Sequence, residues 1–255
     1  MRLWRTIRED IACGAGLLTR LPLGWLRVSG QDWSLARSVW CWPLVGALVG
    51  ILSASVFLLL SALSVPPLVA AAWSVGLQVL LTGGLHEDGL ADMADGCGGR
   101  HTPEKRLTIM RDSRIGSYGA LALGICLIVR VTTLAALPPS MILPAMAVTG
   151  ALSRTILPLL TFLTKPARDN GLAQQLSNLT RDQLLAALFS GFCMTVICLP
   201  AHLGLQTILA ALFTMLGVRA VARKLLGGYT GDVLGATASL AECVLLTVLA
   251  SAWKS

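Results

Sequence analysis

Apolar residues in this chain come in long runs separated by short polar stretches. That is the pattern of helices buried on all sides by protein or lipid, not of helices with one wet face. The runs span about Ser38–Leu63, Pro66–Leu85, Gly116–Leu137, Met141–Thr164, Gln183–Pro200, Leu205–Leu226 and Ala236–Trp253. Each approaches or exceeds the roughly 20 residues that cross a bilayer core. The pattern predicts an all-α fold, a polytopic integral membrane helical bundle of about seven transmembrane helices. Residues 1–255 read as a single integral membrane domain, with a cytoplasmic or interfacial segment at 1–37 and the bundle at 38–253. In the first segment Leu3, Ile7, Ile11 and Leu18 share a face opposite Arg5 and Arg8, predicting an N-terminal interfacial helix. The apolar stretch Ala12–Leu18 is interrupted by Thr19-Arg20 too early for a signal peptide. Gly46 and Gly50 form a Gly-x-x-x-Gly, which predicts a close helix contact.

Composition strengthens this reading. Of 255 residues 55% are hydrophobic and only 13% charged, against about 25% charged in soluble domains. The net charge of +7 is explained by its distribution and not by nucleic acid, for which no motif is present. Lys and Arg cluster before the first run (Arg20, Arg27, Arg37), between the second and third (Arg100, Lys105, Arg106, Arg111, Arg114), between the fourth and fifth (Lys165, Arg168, Arg181), and at the end of the sixth (Arg219, Arg223, Lys224). The alternate connections, near 64–65, 138–140 and 201–204, carry none, and Lys254 alone falls on their side. Positive residues stay in the cytoplasm, so the expected location is a cell (inner) membrane, multi-pass, with the N-terminus and polar loops cytoplasmic. The seven cysteines form no Cys-x-x-Cys and read as packing residues.

Against this apolar background, six of the thirteen acids fall between Glu87 and Asp112. Asp88, Asp92 and Asp95 stand at i, i+4 and i+7, so a helix would carry them on one face. Like charges so placed repel, and near a membrane the cost is relieved by a cation. Magnesium accepts carboxylate oxygens and keeps positions open for phosphates. Asp88, Asp92 and Asp95 are therefore the candidate metal ligands of a magnesium-dependent phosphoryl-transfer site. His86 beside them either orients a carboxylate, donates to a phosphate, or is an ordinary surface histidine. Asp112, between Arg111 and Arg114, reads either as a local ion pair or as a further ligand or general base, with both arginines on phosphate oxygens. Arg154 and Glu242 lie inside apolar runs, where a charge is functional or paired; they are expected to face the site or each other. Arg130 lies deeper toward the other face and is expected to snorkel to it. The segment Gly227–Ala236 holds Asp232 among glycines, a pattern suited to phosphate, metal or a ribose hydroxyl, or to a plain turn.

These residues resemble the cobalamin synthase family, the adenosylcobinamide-GDP ribazoletransferases. The resemblance is carried by Gly-Gly-Leu-His-x-Asp-Gly-Leu-Ala-Asp-x-x-Asp-Gly at 83–96 and by Met110–Gly116. Thr19-Arg20-Leu21-Pro22, Ser153-Arg154, Arg168-x-x-Gly171 and Gly228–Ala236 follow in family order over nearly the whole chain. One position departs: Glu87 stands where an uncharged residue is expected; Ser239 stands where a polar or acidic one is expected. The resemblance implies joining of GDP-activated adenosylcobinamide to α-ribazole or its 5′-phosphate, with release of GMP and with Mg2+ as cofactor. It implies catalytic roles among Asp95, Asp112 and His86, and substrate binding by Arg111, Arg114, Arg154, Asp232 and Glu242. The implied partners are those small molecules and the lipid bilayer; a homo-oligomer stays open. A CDP-alcohol phosphotransferase would carry Arg after Ala91, where Asp92 stands. A prenyltransferase wants different Asn/Asp spacing. A divalent-cation transporter would spread its acids through several spans, whereas here only Glu242 is well inside one.

Overall fold

The computed structural model describes residues 2–26, 34–168 and 171–252, with the side chains of 2, 3, 172 and 173 left out. Arg27, Lys254 and Trp253, used above for the charge pattern and the last run, lie outside the described residues. The helices are α1 (Arg2–Leu18), α2 (Leu35–Ser38), α3 (Trp42–Ala62), α4 (Pro67–Thr82), α5 (Leu85–Cys97), α6 (Pro103–Ile109), α7 (Ser117–Ala135), α8 (Pro139–Phe162), α9 (Arg181–Cys198), α10 (Ala201–Leu226) and α11 (Gly231–Ala252). Among the described residues the one β feature is an isolated bridge between Pro166 and Tyr229.

Six helical runs are long and apolar enough to cross a membrane: 35–62, α7, α8, α9, α10 and α11. The α4–α5 pair, bent by 89°, is the seventh candidate. This is a multi-pass membrane bundle. α8 and α11 form its centre, and α7 and α9 its rim, where Leu121, Ile125, Phe189 and Ile197 are exposed toward lipid. The expected close contact is present: a Cβ on Gly46 would overlap the Gly150 carbonyl, and one on Gly50 the Met146 carbonyl. The bare backbones thus let α3 lie directly on α8.

The basic connections between α5 and α7, between α8 and α9, and between α10 and α11 gather at one end. The turns at 63–66, 136–138 and 199–200 lie at the other. α1 docks at the basic end. Its Asp10 accepts from Arg37 Nε at 2.5 Å and from Trp40 Nε1 at 3.1 Å, and Ala12, Cys13, Ala15 and Leu18 are buried. The interfacial helix is thus fastened to the bundle along its inner face, while Trp4 stays exposed.

One feature of this architecture positions the acidic motif. The second run, read as Pro66–Leu85, ends at Thr82, and the acidic helix does not continue its direction. α4 stops at Gly83 and Gly84, both left-handed (φ +66° and +69°). Two consecutive residues of that kind are costly for anything but glycine. The chain turns there, and α5 sets off at 89° to α4. α5 has thirteen residues and four acids, too short and too polar to cross by itself. It is not a spanning segment. It passes the first turns of α11 and α7 at the basic end.

Candidate active site

Three contacts fix α5. Near its start, Gly89 meets α11: a Cβ there would sit 2.8 Å from the Asp232 carbonyl, and one on Gly235 would sit 3.1 Å from Gly89 Cα. Near its end, the two Asp95 carboxylate oxygens accept from the amides of Gly116 and Gly119 at 2.7 and 2.8 Å. Those are open donors at the start of α7, so Asp95 caps that helix from outside. At its C-terminus the buried Arg106 donates to the carbonyls of Gly96, Cys97, Gly99 and His101 at 2.6–3.1 Å, satisfying acceptors the helix leaves open.

With α5 so placed, its acids fall into two groups. The outer group sits at the mouth. Asp88, Asp92 and the α11 residue Asp232 lie within electrostatic reach of one another, with Arg168 and Arg111 as the nearby cations. Burial pushes the Asp92 carboxyl up to about 6, and the like charges of Asp88, Asp232 and Asp95 add to it. Arg168 reaches the mouth because residues 165–167 are hydrogen-bonded to the second glycine motif. Tyr229 N donates to Lys165 O at 3.0 Å and Ala167 N to Tyr229 O at 2.8 Å. Arg168 Nη2 also donates to Leu107 O at 2.7 Å. Sequence reasoning left Arg168 out of the site; the Arg168-x-x-Gly171 pattern was the available signal.

The inner group is a closed set of charges. Glu242 on α11 bonds Arg154 on α8 through one oxygen and lies 2.8 Å from Arg130 on α7 through the other. Arg130 Nη1 also donates to Glu87 at 2.6 Å. Gln78 on α4 donates to Glu242 at 3.1 Å, and Arg154 donates to Ser153 Oγ at 2.8 Å. Two arginines and two glutamates therefore cancel, and all four are buried. Arg154 and Glu242 do face each other, as expected. Arg130 does not snorkel. Its side chain is fully buried, because Glu87 and Glu242 offer a nearer compensation than water. Glu87 is thereby turned away from the mouth carboxylates.

His86 lies beside this set. Its Nδ1 is 3.3 Å from Arg154 Nη2, and its Nε2 is buried without a partner. Asp112 and Arg114 are not brought to Asp88 and Asp92. They form an exposed pair in which Arg114 Nε and Nη2 donate to the two Asp112 oxygens at 3.1 and 2.7 Å. Those hydrogen bonds hold the Asp112 carboxyl down to about 2. The pair borders an open pocket that Asp95 also lines.

The predicted ligand trio is thus regrouped: Asp95 is engaged with α7, and Asp232 joins Asp88 and Asp92. Among the described residues no three His, Cys, Asp or Glu side chains close on a point as a complete metal cage. The donor chemistry nevertheless fits magnesium. It usually takes one or two carboxylates plus substrate phosphates and keeps its waters, and these carboxylates are left short of positive charge.

A family model described as cobalamin-5-phosphate synthase matches residues 10–250. Proteins named adenosylcobinamide-GDP ribazoletransferase are similar over nearly the whole chain. The one from Rhizobium etli is 38% identical, covering 95% of this chain and 96% of its own. That from Bradyrhizobium diazoefficiens is 36% identical, covering 97% and 95%. That from Shewanella piezotolerans is 35% identical, covering 99% and 100%. No solved structure matches. With the acidic helix, the second glycine motif and the full-length similarity in agreement, the chain belongs to the cobalamin-5-phosphate synthase family.

Proposed function

We propose that this protein is a transferase that joins adenosylcobinamide-GDP to α-ribazole or its 5′-phosphate, giving adenosylcobalamin or its 5′-phosphate and GMP, at the cytoplasmic face of a cell (inner) membrane. The observation that carries the reading is the mouth itself. Carboxylates on two helices are drawn together with insufficient positive charge, beside Arg168 and Arg111, in a chain 35–38% identical to proteins of that name.

Magnesium, when bound, would neutralise diphosphate oxygens and the charge that develops on them. One or two of Asp88, Asp92 and Asp232 would hold it. The protein's own groups do the rest. Arg168 and Arg111 attract the phosphates and orient them against the carboxylates. A ribose hydroxyl forms a new bond to the corrinoid-linked phosphorus. The bond from that phosphorus to the oxygen of GMP breaks, and GMP departs with the electron pair. The hydroxyl proton passes to the carboxylates at the mouth. Asp95 fixes α7 against α5 and so keeps the mouth in shape. Arg154, Glu242 and Arg130 hold the floor beneath it.

The test uses purified protein in lipid nanodiscs with magnesium and both substrates, followed by chromatography for GMP and for a corrinoid carrying its nucleotide base. Release of GMP with formation of that corrinoid supports the proposal. No product from wild-type protein, under conditions where a relative of that name is active, overturns it.

A further inference from the structure

Between α1, α3, α5, α8 and α11 lies a cavity of about 160 Å3. Leu18, Leu35, Trp42, Leu157 and Leu234 supply apolar wall, and the exposed Asp88 and half-buried Asp232 also line it. His86 is the buried charged or ring-polar group of that lining. A guanidinium only donates, so His86 Nδ1, in contact with Arg154 Nη2, is the acceptor. The imidazole proton therefore sits on Nε2, the atom that is buried and has no partner. Burying an N–H donor unpaired is costly, and in this protein the donor belongs to a residue lining a mostly apolar space beside the proposed reaction centre. An apolar cavity of about 150 Å3 admits a benzene ring, so this partly open one, of about 160 Å3, admits an aromatic ring.

From these features we infer that the cavity is the seat of the acceptor nucleoside's base: a flat, largely apolar bicyclic ring whose unsubstituted ring nitrogen accepts from His86 Nε2. The inference rests on the function proposed above and adds to it a substrate subsite and a residue that selects for it. The benzimidazole of α-ribazole has this chemistry. Its two methyl groups and fused ring suit leucine walls, one ring nitrogen carries the ribose, and the other is free to accept a proton. With the base in the cavity, its ribose lies toward Asp88 and Asp232, where the hydroxyl is needed. His86 is then a binding residue for the acceptor, and not a partner of the carboxylates.

Equilibrium binding of α-ribazole to the wild-type protein in nanodiscs is compared with binding of the matched indole riboside, in which the free nitrogen is a carbon. The wild type is expected to bind the indole compound at least about tenfold more weakly, since the buried donor then stays unpaired. His86→Phe is expected to bind the two alike. Leu157→Phe, which fills the cavity from α8, is expected to raise the Kd of α-ribazole about tenfold or more while leaving the Kd of the GDP-activated corrinoid within twofold. Equal binding of the two nucleosides by wild type overturns the inference without requiring any variant to fold. So does a folded Leu157→Phe protein with unchanged α-ribazole affinity. GMP release from the corrinoid is followed in parallel. If it occurs while the nucleosides are not distinguished, the base subsite is wrong and the function stands; if wild type releases none, the function itself fails.

Discussion

The two charged groups on and around α5 begin one residue apart and are handled in opposite ways. Glu87 points into a buried set that sums to zero with Arg130, Arg154 and Glu242. Asp88 is exposed, at a mouth where the carboxylates of Asp92 and Asp232 gather with Arg168 and Arg111 as the nearby cations. Buried charges persist only when compensated, and removing one partner strands the other. Carboxylates left short of compensation at a solvent-reached edge cost stability and are retained for what they bind. The inner set is thus read as structure and the outer as chemistry, although sequence alone places all of these residues in one polar patch.

Substitutions should break the comparison along that line. The largest effect on folding is expected from Glu242→Ala, which leaves two buried guanidinium groups without their shared carboxylate. It should cost about 3–5 kcal/mol, seen as a lower melting temperature in detergent; a melting temperature unchanged from wild type would deny the inner set its structural role. Asp88→Asn should do the reverse. Turnover should fall by about a thousandfold, equivalent to about 4 kcal/mol of barrier, with melting unchanged or raised. A variant that keeps full turnover removes Asp88 from the chemistry.

A smaller effect sharpens the boundary between the groups. Glu87→Gln and Arg130→Met should each destabilise. The double variant should be less destabilised than the sum by about 1–3 kcal/mol, because it removes both charges together. Strict additivity would mean that the 2.6 Å contact carries no coupling. The smallest effect is on pH. Asp92 has a folded pKa of about 6 against an ordinary 3.8. Its contribution is therefore present below about 3.8 and lost as pH rises through about 6. Metal-free protein should melt higher near pH 5 than near pH 8. Asp92→Asn or added magnesium should flatten that slope, and a slope indifferent to both would contradict the carboxylate crowding.

The sequence disclosed what depends on neighbours within a few positions. The spans are long apolar runs, and most of their ends were placed to within a few residues; the last was started too late, at Ala236, because Gly231 and Gly235 lie inside α11 and not in the turn before it. The i, i+4, i+7 spacing of Asp88, Asp92 and Asp95 was visible for the same reason. Contacts between distant segments were not. Nothing near Asp95 announces that Gly116 and Gly119 will take both its oxygens. Arg130 was misread because its depth was judged along one helix, while the residue that holds it, Glu87, sits on another. Arg154 and Glu242 were legible because a lone charge inside an apolar run implies a partner. The 89° turn was hidden because Gly83-Gly84 looks like any flexible pair until both are known to be left-handed.

That turn has a further effect on how the second run is built. α4 has sixteen residues, a rod of about 24 Å, whereas the oily layer of a bilayer is about 30 Å thick. It is the α4–α5 pair together, and not α4 alone, that has the length and apolarity of a crossing, broken at the two glycines. The carboxylates of α5 therefore sit directly after the break in that pair, on its short polar arm.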